Sequence, residues 1–143
     1  MRILAVDFGA VRVGLALSDE GGILATPHST LAGGSGLAQR IAAVAGEEGA
    51  AAVIVGLPRR LDGGEGPEAA SARALATEIN AVSGLEVELW DERFTTVMAE
   101  GALISSRPKR GRRRAAARRE ATDRVAAAVL LQSYLDRPGA RHR

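Results

Sequence analysis

Residues 1–19, MRILAVDFGAVRVGLALSD, decide how the rest of the chain is read. Ile3-Leu4-Ala5-Val6 is an unbroken apolar run that stops at an acid, Asp7. A short run of this kind reads as a strand buried on both faces. After Phe8-Gly9-Ala10, the apolar residues Val11, Val13, Leu15 and Leu17 alternate with Arg12, Gly14, Ala16 and Ser18, the pattern of a strand with one apolar face. The break between them suits a hairpin, so the two strands are expected to be antiparallel neighbours. Asp7 then stands where a central strand ends and the chain turns over. A carboxylate there is either held by backbone N–H groups or aimed at something.

The remaining elements follow outward from this pair. Asp19-Glu20-Gly21-Gly22 is a turn, and Ile23 to Leu31 reads as a third strand that Pro27 places at a sheet edge. His28 has no second histidine near it in sequence and reads as a surface or turn residue. Ser35 is the expected cap of a helix with Leu37, Ile41, Val44 and Ala45 on its apolar stripe, ending near Gly46–Gly49. Ala51 to Gly56 is a second doubly buried strand. The glycine-rich stretch Leu57 to Pro67 leads to a helix that Pro67 opens and that buries Ala72, Leu75, Ala76, Ile79 and Val82. A strand-to-helix loop of this type can take an anion. It lacks the Gly-Lys-Ser or Gly-Lys-Thr ending of a nucleotide loop. Asp62 and Glu65 would repel an anion unless a metal or Arg59 and Arg60 intervene, so phosphate contact and plain connector both stand.

Leu85 to Trp90 alternates as a fifth strand and runs into Asp91-Glu92-Arg93. Thr95 or Thr96 caps a helix with Val97, Met98, Leu103 and Ile104, and Thr122-Asp123 opens a last helix that is apolar on most sides. The expected fold is α/β. Three antiparallel strands come first, then two parallel strands reached by helical crossovers, giving a five-stranded mixed sheet flanked by helices. Ligands collect at the carboxyl ends of parallel strands, where Asp7 and Glu92 both stand. Adjacent strand residues face opposite ways, so only one of Asp91 and Glu92 points into such a site.

Composition narrows the class. A chain of 143 residues with 46% apolar content makes one globular domain, here residues 1–136, followed by a basic tail at 137–143. No apolar run approaches the roughly 18 residues of a membrane span, and no basic-then-apolar leader precedes the first strand. No membrane partner is expected. Cysteine is absent, so disulfides and thiolate metal sites are excluded, and a cytoplasmic location is the expectation. The net charge of +2 hides a segregation. Residues 1–106 carry seven arginines against fourteen acids, whereas RPKRGRRRAAARR at 107–119 carries eight positive charges and no acid. A basic strip on an acidic body points to nucleic acid, against the plainer reading of a solubilising loop. With only four aromatic residues, a base-stacking platform is not expected.

The blocks DFGAVRVGLALSD, VIVGLPRRLDGGEGPEA, WDERFTTVMAE and TDRVAAAVLLQSYLD, in this order, resemble the YqgF (RuvX-like) family. Its members are described as Holliday-junction resolvases and as pre-16S ribosomal RNA nucleases. The resemblance covers nearly the whole chain and implies an RNase H-like fold. It also implies three metal-binding catalytic carboxylates, which fall on Asp7, Glu92 and Asp123. Val11 stands where the family often has lysine, which removes one positive charge near the site, and Phe94 where it often has leucine.

Three such acids can hold two divalent cations, and hard oxygen ligands suit Mg²⁺ or Mn²⁺. Gly9 would let backbone approach the cleft. Arg12, Arg59, Arg60, Lys109, Arg110, Arg112, Arg113 and Arg114 are the candidate phosphate contacts, gripping substrate largely without reading its sequence. The expected activity is a metal-dependent endonuclease acting in 5′-end maturation of pre-16S ribosomal RNA. One alternative is a Holliday-junction resolvase on branched DNA, which requires a two-fold homodimer. Another is a non-catalytic RNA-binding ribosome assembly factor. Each acid also has a plain role: Asp7 on turn amides, Glu92 paired with Arg93 or capping the next helix, Asp123 on a helix dipole. Asp7-Phe8-Gly9 also suggests a sugar-kinase or actin-like ATPase, but the chain is too short for the two domains that fold needs.

Overall fold

The computed structural model describes residues 1–9, 11–60, 62–92 and 112–138, with backbone alone for 112–121. β1 (Arg2–Phe8) is the central strand. It pairs antiparallel with β2 (Arg12–Ser18), with Asp7 opposite Gly14, through the hairpin expected from sequence. β2 in turn pairs antiparallel with β3 (Ala25–Ala32). On the other side β1 pairs parallel with β4 (Ala50–Leu57), and β4 parallel with β5 (Glu86–Asp91). The sheet order β3-β2-β1-β4-β5 is the mixed sheet expected, with Pro27 on an edge strand. β3 begins at Ala25 and not at Ile23, because the Asp19 carboxylate accepts the N–H groups of Ile23 and Leu24 and keeps both in the turn.

The two faces are covered differently. Leu4, Val6, Val13, Leu15, Val53 and Val55 lie on one face, under α1 (Leu37–Glu47) and α2 (Pro67–Ser83). Ile3, Ala5, Ala16 and Ile54 lie on the other, under the single long helix α3 (Arg112–Leu135). Pro67 opens α2 as expected, and Gly84, in the left-handed region, closes it.

Three expectations need correction. Val82, expected on the buried stripe of α2, is exposed. Ser35 does not cap α1; the N-cap is Gly36, whose φ of 76° favours glycine, and no side chain bonds there. Thr122 does not open a helix either. α3 already begins at Arg112, so Asp123 lies inside it and not in its first turn. Alanine and arginine are among the strongest helix formers, and in Arg112–Arg119 that propensity prevails over the repulsion of like charges. The helix expected at Val97 to Ile104, with Lys109 and Arg110, lies outside the described residues. Among the described residues no helix is long and apolar enough to cross a membrane.

Candidate active site

The side of β1 that carries Ile3 and Ala5 ends, by strand alternation, at Asp7. Small residues let α3 approach this face. Gly14 is directly across the ladder from Asp7, and a Cβ on it would overlap the carbonyl group of Asp123 and stand 3.2 Å from the Arg124 nitrogen. The backbone of α3 therefore rests on β2 at Gly14, with Asp123 beside Asp7. Gly56 plays the same part on β4. A Cβ there would stand 2.6 Å from Glu92 Oε1 and 3.0 Å from a methyl of Leu130. Two glycines flanking β1 thus create the space into which Glu92 and α3 settle.

The three acids named from sequence converge here. Asp7 and Glu92 are hydrogen-bonded to each other, and the Asp123 carboxylate acts on Asp7 through space. Burial is the largest influence on both members of the pair. It raises Asp7, offset in part by the bond from Glu92 and reinforced by the Asp123 charge. It pushes Glu92 up to about 8, with the bond to Asp7 and the charges of Asp7 and Asp91 acting in the same direction. At neutral pH Glu92 is therefore the protonated partner and donates to the Asp7 carboxylate. Two carboxyl groups that share one proton in a half-buried cleft are the arrangement that like charges force on each other when no cation is between them.

Asp123 is held from its other side. Arg12 Nε donates to Asp123 Oδ2 at 2.7 Å, with both side chains about a third exposed. Among the described residues no three His, Asp or Glu side chains form a ready-made metal-ligand group, and the third acid is bonded to this arginine. The donor set still suits a hard divalent cation: it is all carboxylate oxygen, and the proton between Asp7 and Glu92 is one a cation can replace.

Asp91 takes the opposite direction. Its Oδ2 is 3.7 Å from Arg59 Nε, and Arg59 also lies 3.6 Å from Glu65, which Arg73 grips with two bonds of 2.7 and 2.8 Å. Arg59 is thus part of an ion-pair group on the glycine-rich loop, and Arg60 is exposed, 3.9 Å from Asp62. The loop amides of Arg60, Gly63 and Gly64 have partners within the loop, so an anion there would meet the arginine side chains. Gly9 donates its N–H to the Arg12 carbonyl at 3.1 Å and closes the hairpin, where a Cβ would stand 2.7 Å from that oxygen. Arg112, Arg113 and Arg114 form the first turn of α3.

The sequence reading did not single out Gly14, Gly56 or Gln132. Gln132 fixes α3 to the start of β3, accepting from Ala25 N–H and donating to the Ile23 carbonyl, both at 2.9 Å. A glycine inside a strand is the signal that could have found the first two, since it often marks close approach of another backbone. A lone glutamine on a helix carries no such signal.

Comparison with known proteins gives the chain a family and a fold. A family model described as "RuvX: Holliday junction resolvase" matches residues 1–137. A protein of Thermobifida fusca (strain YX) named "Putative pre-16S rRNA nuclease" is 49% identical over 136 residues, covering 93% of this chain and 86% of that one. A protein of the same name from Pelotomaculum thermopropionicum is 39% identical over 146 residues, covering 100% and 92%. Among solved structures, T. thermophilus RuvC in complex with a Holliday junction substrate aligns with a TM-score of 0.54 at 16% identity, covering 98% of each chain. At that identity the likeness is one of fold.

Proposed function

The chain belongs to the RuvX family of nucleases and has its RNase H-like fold, and from that premise we propose that it is a divalent-metal-dependent endonuclease acting in 5′-end maturation of the 16S ribosomal RNA precursor. The observation that supports this most is the bonded pair Asp7–Glu92, with Asp123 beside it, at the carboxyl end of the central parallel strands. In such sheets this is where ligands bind.

Asp7, Glu92 and Asp123 would hold Mg²⁺ or Mn²⁺. Bound there, one or two such ions supply an activated water and stabilise the leaving oxygen of the phosphodiester. The chain's own residues do the rest. Asp7 is fixed in place because β1 is paired on both sides. Burial against α3 keeps bulk water from the pair and strengthens every charge interaction in the cleft. Glu92 must release the proton it shares with Asp7, so the site becomes fully anionic only when cations compensate it. Arg12 at the cleft, and Arg112, Arg113 and Arg114 with the rest of the basic strip, would hold flanking phosphates without selecting bases. That grip suits a substrate chosen by shape. Residues 1–136 would form the nuclease domain and 137–143 a basic tail.

The second reading is resolution of branched DNA, favoured by the family's description and by the likeness in fold to RuvC. Symmetric cutting of two strands would require a homodimer. The test is purified protein with Mn²⁺, offered a 16S precursor fragment and a four-way DNA junction side by side. Cleavage of the RNA with the junction left whole is expected. Asp7→Asn should reduce cleavage by more than about 100-fold, since loss of groups that merely orient a metal ligand costs about 10–100-fold. Junction cleavage in preference to RNA would favour the second reading, an Asp7→Asn protein that cuts normally would move the reaction away from these acids, and wild type that binds the precursor without cutting it would leave an RNA-binding assembly factor.

A further inference from the structure

Arg12 is the first residue of β2 and reaches across to α3. Only its Nε is engaged among the described residues, in the 2.7 Å bond to Asp123 Oδ2, and the guanidinium is part-exposed. A guanidinium matches a phosphate as well as it matches a carboxylate, through paired N–H groups in one plane. The same side chain thus occupies one of the three acids and is suited to the substrate. A phosphate that pairs with the Nε edge of the fork takes the donor that Asp123 now holds, and Asp123 without its arginine is an uncompensated carboxylate next to Asp7.

We infer that Arg12 couples substrate to metal by holding Asp123 in the free protein and surrendering it when a phosphodiester binds. The inference rests on the metal-dependent reading above and deepens it. In the absence of nucleic acid, Arg12 competes with cations for Asp123, and metal affinity is low. A backbone phosphate at the cleft takes the guanidinium, and the released carboxylate turns to the cation. Coupling of this kind is reciprocal: substrate tightens metal binding by the same factor as metal tightens substrate. The enzyme is then complete only on its substrate, which protects other phosphodiesters from an idle metal centre.

The test measures Mn²⁺ affinity from the electron paramagnetic resonance signal of the free ion, so it does not depend on turnover. Wild type, Arg12→Gln, Arg12→Lys and Asp7→Asn are titrated with and without a short phosphorothioate RNA strand, which resists hydrolysis, and the strand's own Mn²⁺ uptake is subtracted. In wild type the strand should tighten Mn²⁺ binding by roughly 5-fold or more, the lower end of ordinary coupling between sites. Arg12→Gln should bind Mn²⁺ more tightly than wild type without the strand and gain much less on adding it. Arg12→Lys, which keeps the charge but not the fork, separates displacement from simple repulsion of the cation. Its coupling should fall between wild type and Arg12→Gln. Equal gains in wild type and Arg12→Gln, with binding still dependent on Asp7, would overturn the inference alone. Mn²⁺ binding that does not respond to Asp7→Asn would overturn the metal-dependent reading, and the inference with it.

Discussion

The two faces of the sheet are built from different residues. Under α1 and α2 the strands present leucine and valine: Leu4, Val6, Val13, Leu15, Val53 and Val55, all fully buried. Under α3 the same strands present Ala5, Gly14, Ala16 and Gly56, and the row ends in Asp7 and Glu92. One face has side chains that fill the space between sheet and helices. The other keeps Ile3 and Ile54 but has almost none near Asp7, so there a helix backbone rests directly on a strand. The first arrangement maximises buried apolar area and stabilises the domain. The second gives up that area at one end and obtains a close approach, which brings an acid of α3 to an acid of β1. From Trp90, opposite Gly56, onward the α3 face is sealed in an ordinary way: Trp90 and Tyr134 meet edge to face at 5.3 Å, and the Tyr134 hydroxyl donates to Glu88 at 2.6 Å.

If the division holds, variants on the two faces should fail differently. The largest contrast is between Asp7→Asn and Leu4→Ala, on opposite faces of the central strand. Asp7→Asn should lose cleavage as stated above while melting no lower than wild type, because it replaces a buried carboxylate by a neutral amide. Leu4→Ala should cost about 2–5 kcal/mol in a denaturant titration while the folded fraction cuts at the normal rate. A Leu4→Ala protein that stays stable but inactive would break the comparison.

Gly14→Ala should come next. The added methyl must push the Asp123 carbonyl away, a strain of about 1–3 kcal/mol, and the displacement falls on the site. Cleavage should drop by more than the loss of folded protein accounts for, and Mn²⁺ affinity should weaken with it. Restored activity at higher Mn²⁺ would sharpen the point, since a shifted Asp123 can still be recruited by mass action. Activity lost only in step with unfolding would assign Gly14 to packing alone.

The smallest effect is on pH dependence. The carboxyl groups of Asp7 and Glu92 both titrate above their ordinary range, Glu92 at about 8. A folded-state pKa raised above the unfolded value means the native state holds the proton more tightly. The stability contributed is therefore complete below the ordinary glutamate range and is lost as pH rises towards about 8. The melting temperature of metal-free protein should decline over that window, and Glu92→Gln should flatten the decline. With Mn²⁺ present the trend should reverse, because deprotonation then favours the bound ion. A flat wild-type profile would mean that the two carboxyl groups do not share a proton in solution.

Much of this was legible in the order of residues. The apolar run ending at Asp7, the hairpin behind it, the second doubly buried strand and the alternating fifth strand define the sheet, because alternation and run length report directly on which faces are covered. That one of Asp91 and Glu92 must face away also followed from alternation, and Arg59 occupies Asp91 on that side. The extent of α3 was not legible. A block of like charge suggests solvated chain, and nothing local says that alanine and arginine will carry the helix through it. The packing that lets the acids approach each other was hidden for a different reason. It depends on what Gly14 and Gly56 lack, and a missing side chain has meaning only once the helix that fills its place is known. The Arg12–Asp123 bond spans the length of the domain in sequence, which no spacing rule can anticipate.

The central claim is that Asp7, Glu92 and Asp123 form one metal site, and a crystal structure grown with Mn²⁺ tests it most directly through anomalous scattering. The account predicts a strong anomalous peak bonded to Asp7 and to Glu92, with Asp123 turned from Arg12 towards it when a nucleic acid strand is present. A cleft without such a peak at saturating Mn²⁺, with the Asp7–Glu92 hydrogen bond intact, would contradict it.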